Sequence, residues 1–242
     1  MGLRIVLYAV GALKEARHSP CVLGWLAAPL TFRNHRDNDM TVAFDWKKVE
    51  AVAPEIVALL MEKYADARGV HVETIVGAAA ALAGATALRA VHPIAPGHQY
   101  VLSAEVDDLL FEGKAVGKSM TGLVLEFAEK SGLPPDCRPD IVEIRKRVVE
   151  AFGSKSYPPL SVSADHYPRE WSPNATVRLR AEVDNILAKG HLSKTESAVA
   201  LACSVGALIN MTAKAVDPQV TTTLALEILV GVSRMRPLAA EI

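Results

Sequence analysis

The sequence predicts an all-α fold, a compact multi-helix bundle organised around two central, buried helices rich in small residues. Residues 74–88 (TIVGAAAALAGATAL) and 197–213 (SAVALACSVGALINMTA) carry no charge over fifteen and seventeen positions. Each is too long for a strand and too rich in Ala and Gly for an exposed helix. Elsewhere from Asp45 onward, apolar residues recur at helical spacing. No segment alternates with period two over a useful length, so no sheet is expected.

The two central stretches also raise the question of a membrane, because half of the residues are hydrophobic. At 1.5 Å per residue the stretches reach about 22 and 25 Å, short of a hydrocarbon core of about 30 Å. Ala, Gly, Ser and Thr enter lipid far less favourably than Leu, which is sparse in both. The reading is therefore of soluble core helices whose small side chains let neighbouring axes come close, with no membrane span.

The remaining elements follow in order. Asp45 is placed to cap a first helix, which Pro54 kinks or restarts, with Ile56, Leu59, Leu60 and Tyr64 on one face up to Gly69. The first central helix stops before His92-Pro93. Ser103 caps a short helix with Val106, Leu109 and Leu110 inward, and Ser119 opens another with Met120, Leu123, Val124 and Phe127 inward, ending at Gly132. Ile141, Ile144, Val148 and Phe152 mark a further helix. Leu179, Val183, Ile186 and Leu187 mark the next, introduced by Ser172-Pro173, with Arg178–Glu182 and Arg180–Asp184 as supporting i,i+4 pairs. Ser193-Lys-Thr-Glu196 is a capping box for the second central helix. Asp217-Pro218 opens the last, which runs to about Met235.

The first 39 residues stand apart. Up to Arg36 they hold Arg4, Lys14, Arg17, Arg33 and Arg36 against the single acid Glu15, broken by Pro20 and Pro29, whereas the charges balance from Asp45 on. Residues 1–39 are expected to be a leader, a weakly ordered tail or a start-site artefact, and 40–242 a single helical domain that folds alone.

Charge and cysteine content narrow the function classes. A net charge of −1, with 26 basic against 27 acidic residues and no long basic run, does not suit a nucleic-acid partner. Cys21, Cys137 and Cys203 are odd in number and widely spaced, which suits a reducing cytoplasm better than a disulfide framework or structural zinc.

Three constellations bear on chemistry. Gly113-Lys-Ala-Val-Gly-Lys118-Ser119 falls one residue short of the phosphate-binding loop spacing, and the residues before it are helical rather than extended, so it reads as a turn capped by Ser119. Ala202-Cys-Ser-Val-Gly206 has the spacing of a helix-turn-helix corner, but only Asn210, Thr212 and Lys214 follow to contact DNA, so a continuous buried helix is expected. The third is a pair of irregular loops, 92–98 and 163–171, which hold His92, His98, Asp165, His166, Tyr167, Arg169 and Trp171. If the two loops meet, their histidines and carboxylate could act as acid and base or as ligands, although their spacing matches no metal signature.

Two functional readings result. The first is a non-catalytic domain that self-associates or binds another protein through a small-residue or aliphatic helix face. The second is a small-molecule or metal-binding protein, or an enzyme, that uses loops 92–98 and 163–171. The sequence names no cofactor.

Overall fold

The computed structural model describes residues 44–92, 100–114 and 116–236; the 1–39 leader and His98 lie outside them. Among the described residues the chain forms nine α-helices and one minimal hairpin. These are α1 (Trp46–Tyr64), β1 (Ala65–Asp66), β2 (Gly69–Val70), α2 (Val72–Val91), α3 (Ala104–Asp107), α4 (Met120–Lys130) and α5 (Ile141–Glu150). They continue with α6 (Ala175–Arg178), α7 (Arg180–Lys189), α8 (Lys194–Thr212) and α9 (Pro218–Val232).

The two small-residue helices are the centre. Helix α8 packs on α2, α4 and α1, while α2 also packs on α9 and on the segment around α6. Surrounded in this way, both are buried almost all round: Ile75 to Ala83 on α2 and Ala198 to Val205 on α8 are nearly inaccessible. That is the reason for their composition. Gly84 shows it most sharply, because a Cβ there would sit 2.4 Å from the Leu229 carbonyl oxygen of α9. By length and composition alone α2 and α8 could cross a membrane, and 78% and 72% of their most apolar windows are buried against the rest of the chain.

The caps read from the sequence form. Asp45 accepts from the N–H groups of Lys47 and Lys48, Ser103 from Val106, Ser119 from Gly122 and Asp217 from Gln219. The capping box is complete: Ser193 Oγ accepts from Glu196 N, and Glu196 accepts from Ser193 N at 2.7 Å. Glu196 also accepts from Asp45 N at 2.8 Å, so one buried carboxylate ties the starts of α1 and α8 together. The Ala202 to Gly206 stretch is continuous helix. The turn at Gly113 to Ser119 follows a helix whose last part, Asp108–Glu112, widens to a π turn, so its lead-in is helical and not a strand.

Several expectations need correcting. Of the two expectations for Pro54, the restart fails: α1 runs through it, the ring withdraws one N–H from the helix ladder, and packing against the core holds the rest. The helix stops at Tyr64 rather than near Gly69, because a two-residue hairpin reverses the chain there. Arg180 does meet Asp184, at 3.5 Å, but Arg178 turns away from Glu182 to reach Glu170, and Glu182 pairs with Lys63 of α1 instead. Small residues also serve a purpose besides helix contact. A Cβ on Gly77 would meet Ser172 Oγ at 2.6 Å, and one on Gly231 would meet Pro158 at 2.4 Å. Both glycines make room for an irregular proline-rich segment.

Candidate functional site

That segment, 153–172, crosses the faces of α2 and α9 and is fastened at several points. Glu227, buried on α9, accepts from the Ser161 N–H and hydroxyl and from Arg147 at 2.8 Å. Tyr157 donates its buried hydroxyl to the Gly231 carbonyl at 2.8 Å, and burial pushes the phenol well above the ordinary tyrosine range. Trp171 donates its indole N–H to the Tyr157 carbonyl at 2.8 Å. Residues 156–160 and 167–172 are thereby held as two walls of one groove, with Ile228 of α9 below them.

The groove has a volume of about 420 Å³, within the size range of small-molecule sites. Tyr157, Pro158, Pro159, Leu160, Pro168 and Trp171 supply an apolar lining. Tyr167 and Trp171 are each 45% exposed, so both rings present open surface, and that of Trp171 is fixed by its indole hydrogen bond. Prolines and anchored aromatics lose little freedom when a ligand arrives, which is what a preformed site requires.

Two charged side chains line the groove, Arg169 and Glu170. Glu170 is already neutralised. It receives a two-pronged hydrogen bond from Arg178, at 2.9 and 3.0 Å, and the Tyr64 hydroxyl at 2.5 Å, while the Arg178 guanidinium lies 4.9 Å over the Tyr64 ring. Burial, followed by the Glu170 carboxylate, pushes the Tyr64 phenol far up. Arg169 has no such partner: among the described residues no carboxylate lies within ion-pair distance of its guanidinium. Its field is nevertheless felt, helping to hold the Asp66 carboxyl below its ordinary value after the larger contribution of Arg68.

Next to the groove is a second polar cluster, at the start of α2. Glu73 is buried and bridges two histidines, with Oε1 2.8 Å from His166 Nδ1 and Oε2 3.5 Å from His71 Nε2. His71 Nδ1 lies 2.8 Å from Thr74 Oγ1, which accepts from Arg169 N at 2.9 Å. Burial lowers the His71 pKa, with Glu73 opposing and Arg169 assisting. These bonds pin the stretch from His166 to Arg169 onto α2, and Pro168 then rests over Gly77 one turn further along.

The structure brings His166, Tyr167, Arg169 and Trp171 together with Glu73, a partner the sequence reading missed. Asp165 is exposed beside His166 and makes no hydrogen bond or ion pair among the described residues. His92 does not join them. It sits at the other end of α2, with Nε2 3.8 Å from Glu105, 19 residues and about 28 Å along the helix axis from Glu73. Loop 163–171 is fastened at the N-terminal end of α2 and loop 92–98 begins at its C-terminal end, so α2 itself keeps His92 and His166 apart. His98 lies outside the described residues. Among those described, no group of three or more His, Cys, Asp or Glu is arranged to hold a metal ion.

One signal for Glu73 and His71 was present. A lone acid leading into a helix apolar on every face must either stay outside the core or find partners within it. Compared with known proteins, the chain matches no family model, no curated protein and no solved structure.

Proposed function

We propose that the protein is a helical scaffold that binds a small organic anion with a flat, apolar body in the groove between residues 156–160 and 167–172. The observation that carries this reading is Arg169, with no carboxylate in ion-pair reach among the described residues, in a lining whose other charge, Glu170, is taken up by Arg178 and whose remainder is mostly prolines, aromatic rings and aliphatic side chains. A guanidinium takes a carboxylate, sulfonate or phosphate as a two-pronged partner, and the faces of Trp171 and Tyr167 suit a planar ring. The reading names no catalytic step and no cofactor.

The test is calorimetric titration of the full chain with naphthalene-2-sulfonate, an aromatic anion whose charge does not change with pH. Saturable binding that weakens at least tenfold in Arg169→Ala and in Trp171→Ala supports the reading. Equal affinity in wild type and Arg169→Ala overturns it.

Self-association is the second reading, and one observation favours it. Val142 and Val149 on α5 are 73% and 45% exposed, and a spacing of seven places them on one face. The small-residue faces of α2 and α8 do not serve this reading, because the chain itself covers them. A concentration-dependent mass by light scattering that Val142→Glu abolishes would support a dimer through α5.

A further inference from the structure

One hydroxyl in the groove has no partner. Ser172 belongs to the lining, is 5% exposed, and its Oγ makes no hydrogen bond with any described residue. It is not sealed in the core as the unpartnered Thr222 hydroxyl is, so the access it keeps is into the groove. Every other polar side chain of the lining is bonded or faces solvent. Tyr157 and Trp171 donate to the Gly231 and Tyr157 carbonyls, Glu170 is held by Arg178 and Tyr64, and Ser156, Tyr167 and Arg169 are exposed.

Helix α2 fixes where this hydroxyl stands. An ideal Cβ on Gly77 would lie 2.6 Å from Ser172 Oγ, 3.1 Å from Ile228 Cδ1 and 3.3 Å from Pro168 Cγ, so those three atoms cluster around one point. All three residues line the groove, with Ile228 at its floor. Gly77 leaves room for the hydroxyl there, because any side chain would take its place. Arg169 is fastened through its N–H to Thr74, about one turn nearer the start of α2. The groove thus carries a cation toward solvent and a free hydroxyl on its floor, three residues apart in the chain. A ligand filling it drives water off that floor. The hydroxyl then loses the hydrogen bond that water gave it, so a purely apolar ring is penalised, and a ring that brings a donor or acceptor to that point is not. A site discriminates in this way because the analogue lacking the polar group strands the protein's own. A phenol suits Ser172, since each hydroxyl both donates and accepts.

We infer that the groove selects hydroxyaryl anions, flat rings with an acidic group for Arg169 and a hydroxyl at the far edge for Ser172, and that Ser172 sets this preference. This rests on the groove reading given above. Arg169 supplies the attraction common to all aromatic anions, and Ser172 chooses among them.

The experiment compares naphthalene-2-sulfonate with its 6-hydroxy and 7-hydroxy derivatives and with the methyl derivatives at the same two positions, by calorimetric titration of the full chain. The two positions cover the two ways in which the ring can point its far edge at the floor. In wild type at least one hydroxy derivative is expected to bind about threefold to tenfold more tightly than the parent, the usual net worth of one neutral hydrogen bond. Its methyl counterpart has the same size and no hydrogen bond, and is expected to bind more weakly than the hydroxy derivative. In Ser172→Ala the advantage of the hydroxyl is expected to vanish. Hydroxy derivatives no tighter than the parent, a methyl derivative as tight as its hydroxy counterpart, or an advantage that survives in Ser172→Ala overturns the inference and leaves the groove reading intact. If none of the probes binds wild type, the groove reading falls as well. The methyl comparison is made in wild type alone, so it decides the matter even where Ser172→Ala does not fold.

Discussion

Replacing Gly84 by alanine tests the close packing of α2 against α9. The new Cβ would lie 2.4 Å from the Leu229 carbonyl oxygen and 2.9 Å from the Ser233 nitrogen, where ordinary contact begins at 3.4 Å. Both obstacles are backbone, so relief requires α2 and α9 to part by about 1 Å, and a gap of that size forfeits a quarter to a half of each dispersion contact across it. Overpacking costs about 1 to 3 kcal/mol, and two backbone obstacles place this case in the upper part of that range, about 2 to 3, while alanine in place of glycine returns about 1 kcal/mol of helix propensity. The net expectation is a loss of about 1 to 2 kcal/mol, or roughly 2 to 8 °C in melting temperature for a domain of this size. Gly206→Ala is a second case. Its Cβ would meet the Phe127 ring at 2.5 Å and the Phe127 Cβ at 2.7 Å, and a Cβ moves only with its backbone, so α8 and α4 must part as well. Urea unfolding followed by circular dichroism decides the matter. A Gly84→Ala or a Gly206→Ala variant as stable as wild type would refute the reasoning.

Three other outcomes are expected. Glu73→Ala strips His166 and His71 of their shared acceptor and should cost about 1 to 3 kcal/mol in urea unfolding while making the 163–172 segment sensitive to protease; unchanged stability would show that the segment is held by other contacts. Cys203 is buried and burial pushes its thiol up to about 12, so mass spectrometry after maleimide treatment at pH 7.5 should find it unlabelled until the protein is unfolded. Burial alone pushes the Glu196 carboxyl up, but the N–H donors of Ser193 and Asp45 outweigh it and hold it below its ordinary value. Its contribution is thus present above the unfolded carboxyl pKa of about 4.3 and is lost as the pH falls through the lower folded value; Glu196→Gln should be less stable than wild type at pH 7, with the difference shrinking below pH 4.

The helices were legible because their signals are local. A serine or aspartate before an apolar run announces a cap, and a charge-free run of Ala and Gly announces a helix with neighbours on all sides; Ser193, Asp45 and residues 74–88 each needed only a few positions of context. The site was half legible for the opposite reason. His166, Tyr167, Arg169 and Trp171 stood out as polar and aromatic residues among prolines. The buried carboxylate that orients His166 arrives from Glu73, 93 positions earlier, and the neutralising partners of Glu170 are Arg178 and, more than a hundred positions away, Tyr64. No local pattern encodes such pairings. The separation of His92 from His166 was also hidden, since it depends on which end of α2 the later segment reaches.

The most direct test of the groove is a map of where an aromatic anion touches the protein. In a ¹⁵N-labelled full chain titrated with naphthalene-2-sulfonate, the account predicts saturable shifts of the Trp171 indole N–H and of the backbone amides of Leu160, Tyr167, Arg169 and Trp171, all with one dissociation constant and all lost in Arg169→Ala. Shifts that fall on other faces of the bundle, or that persist unchanged without the Arg169 guanidinium, would contradict it.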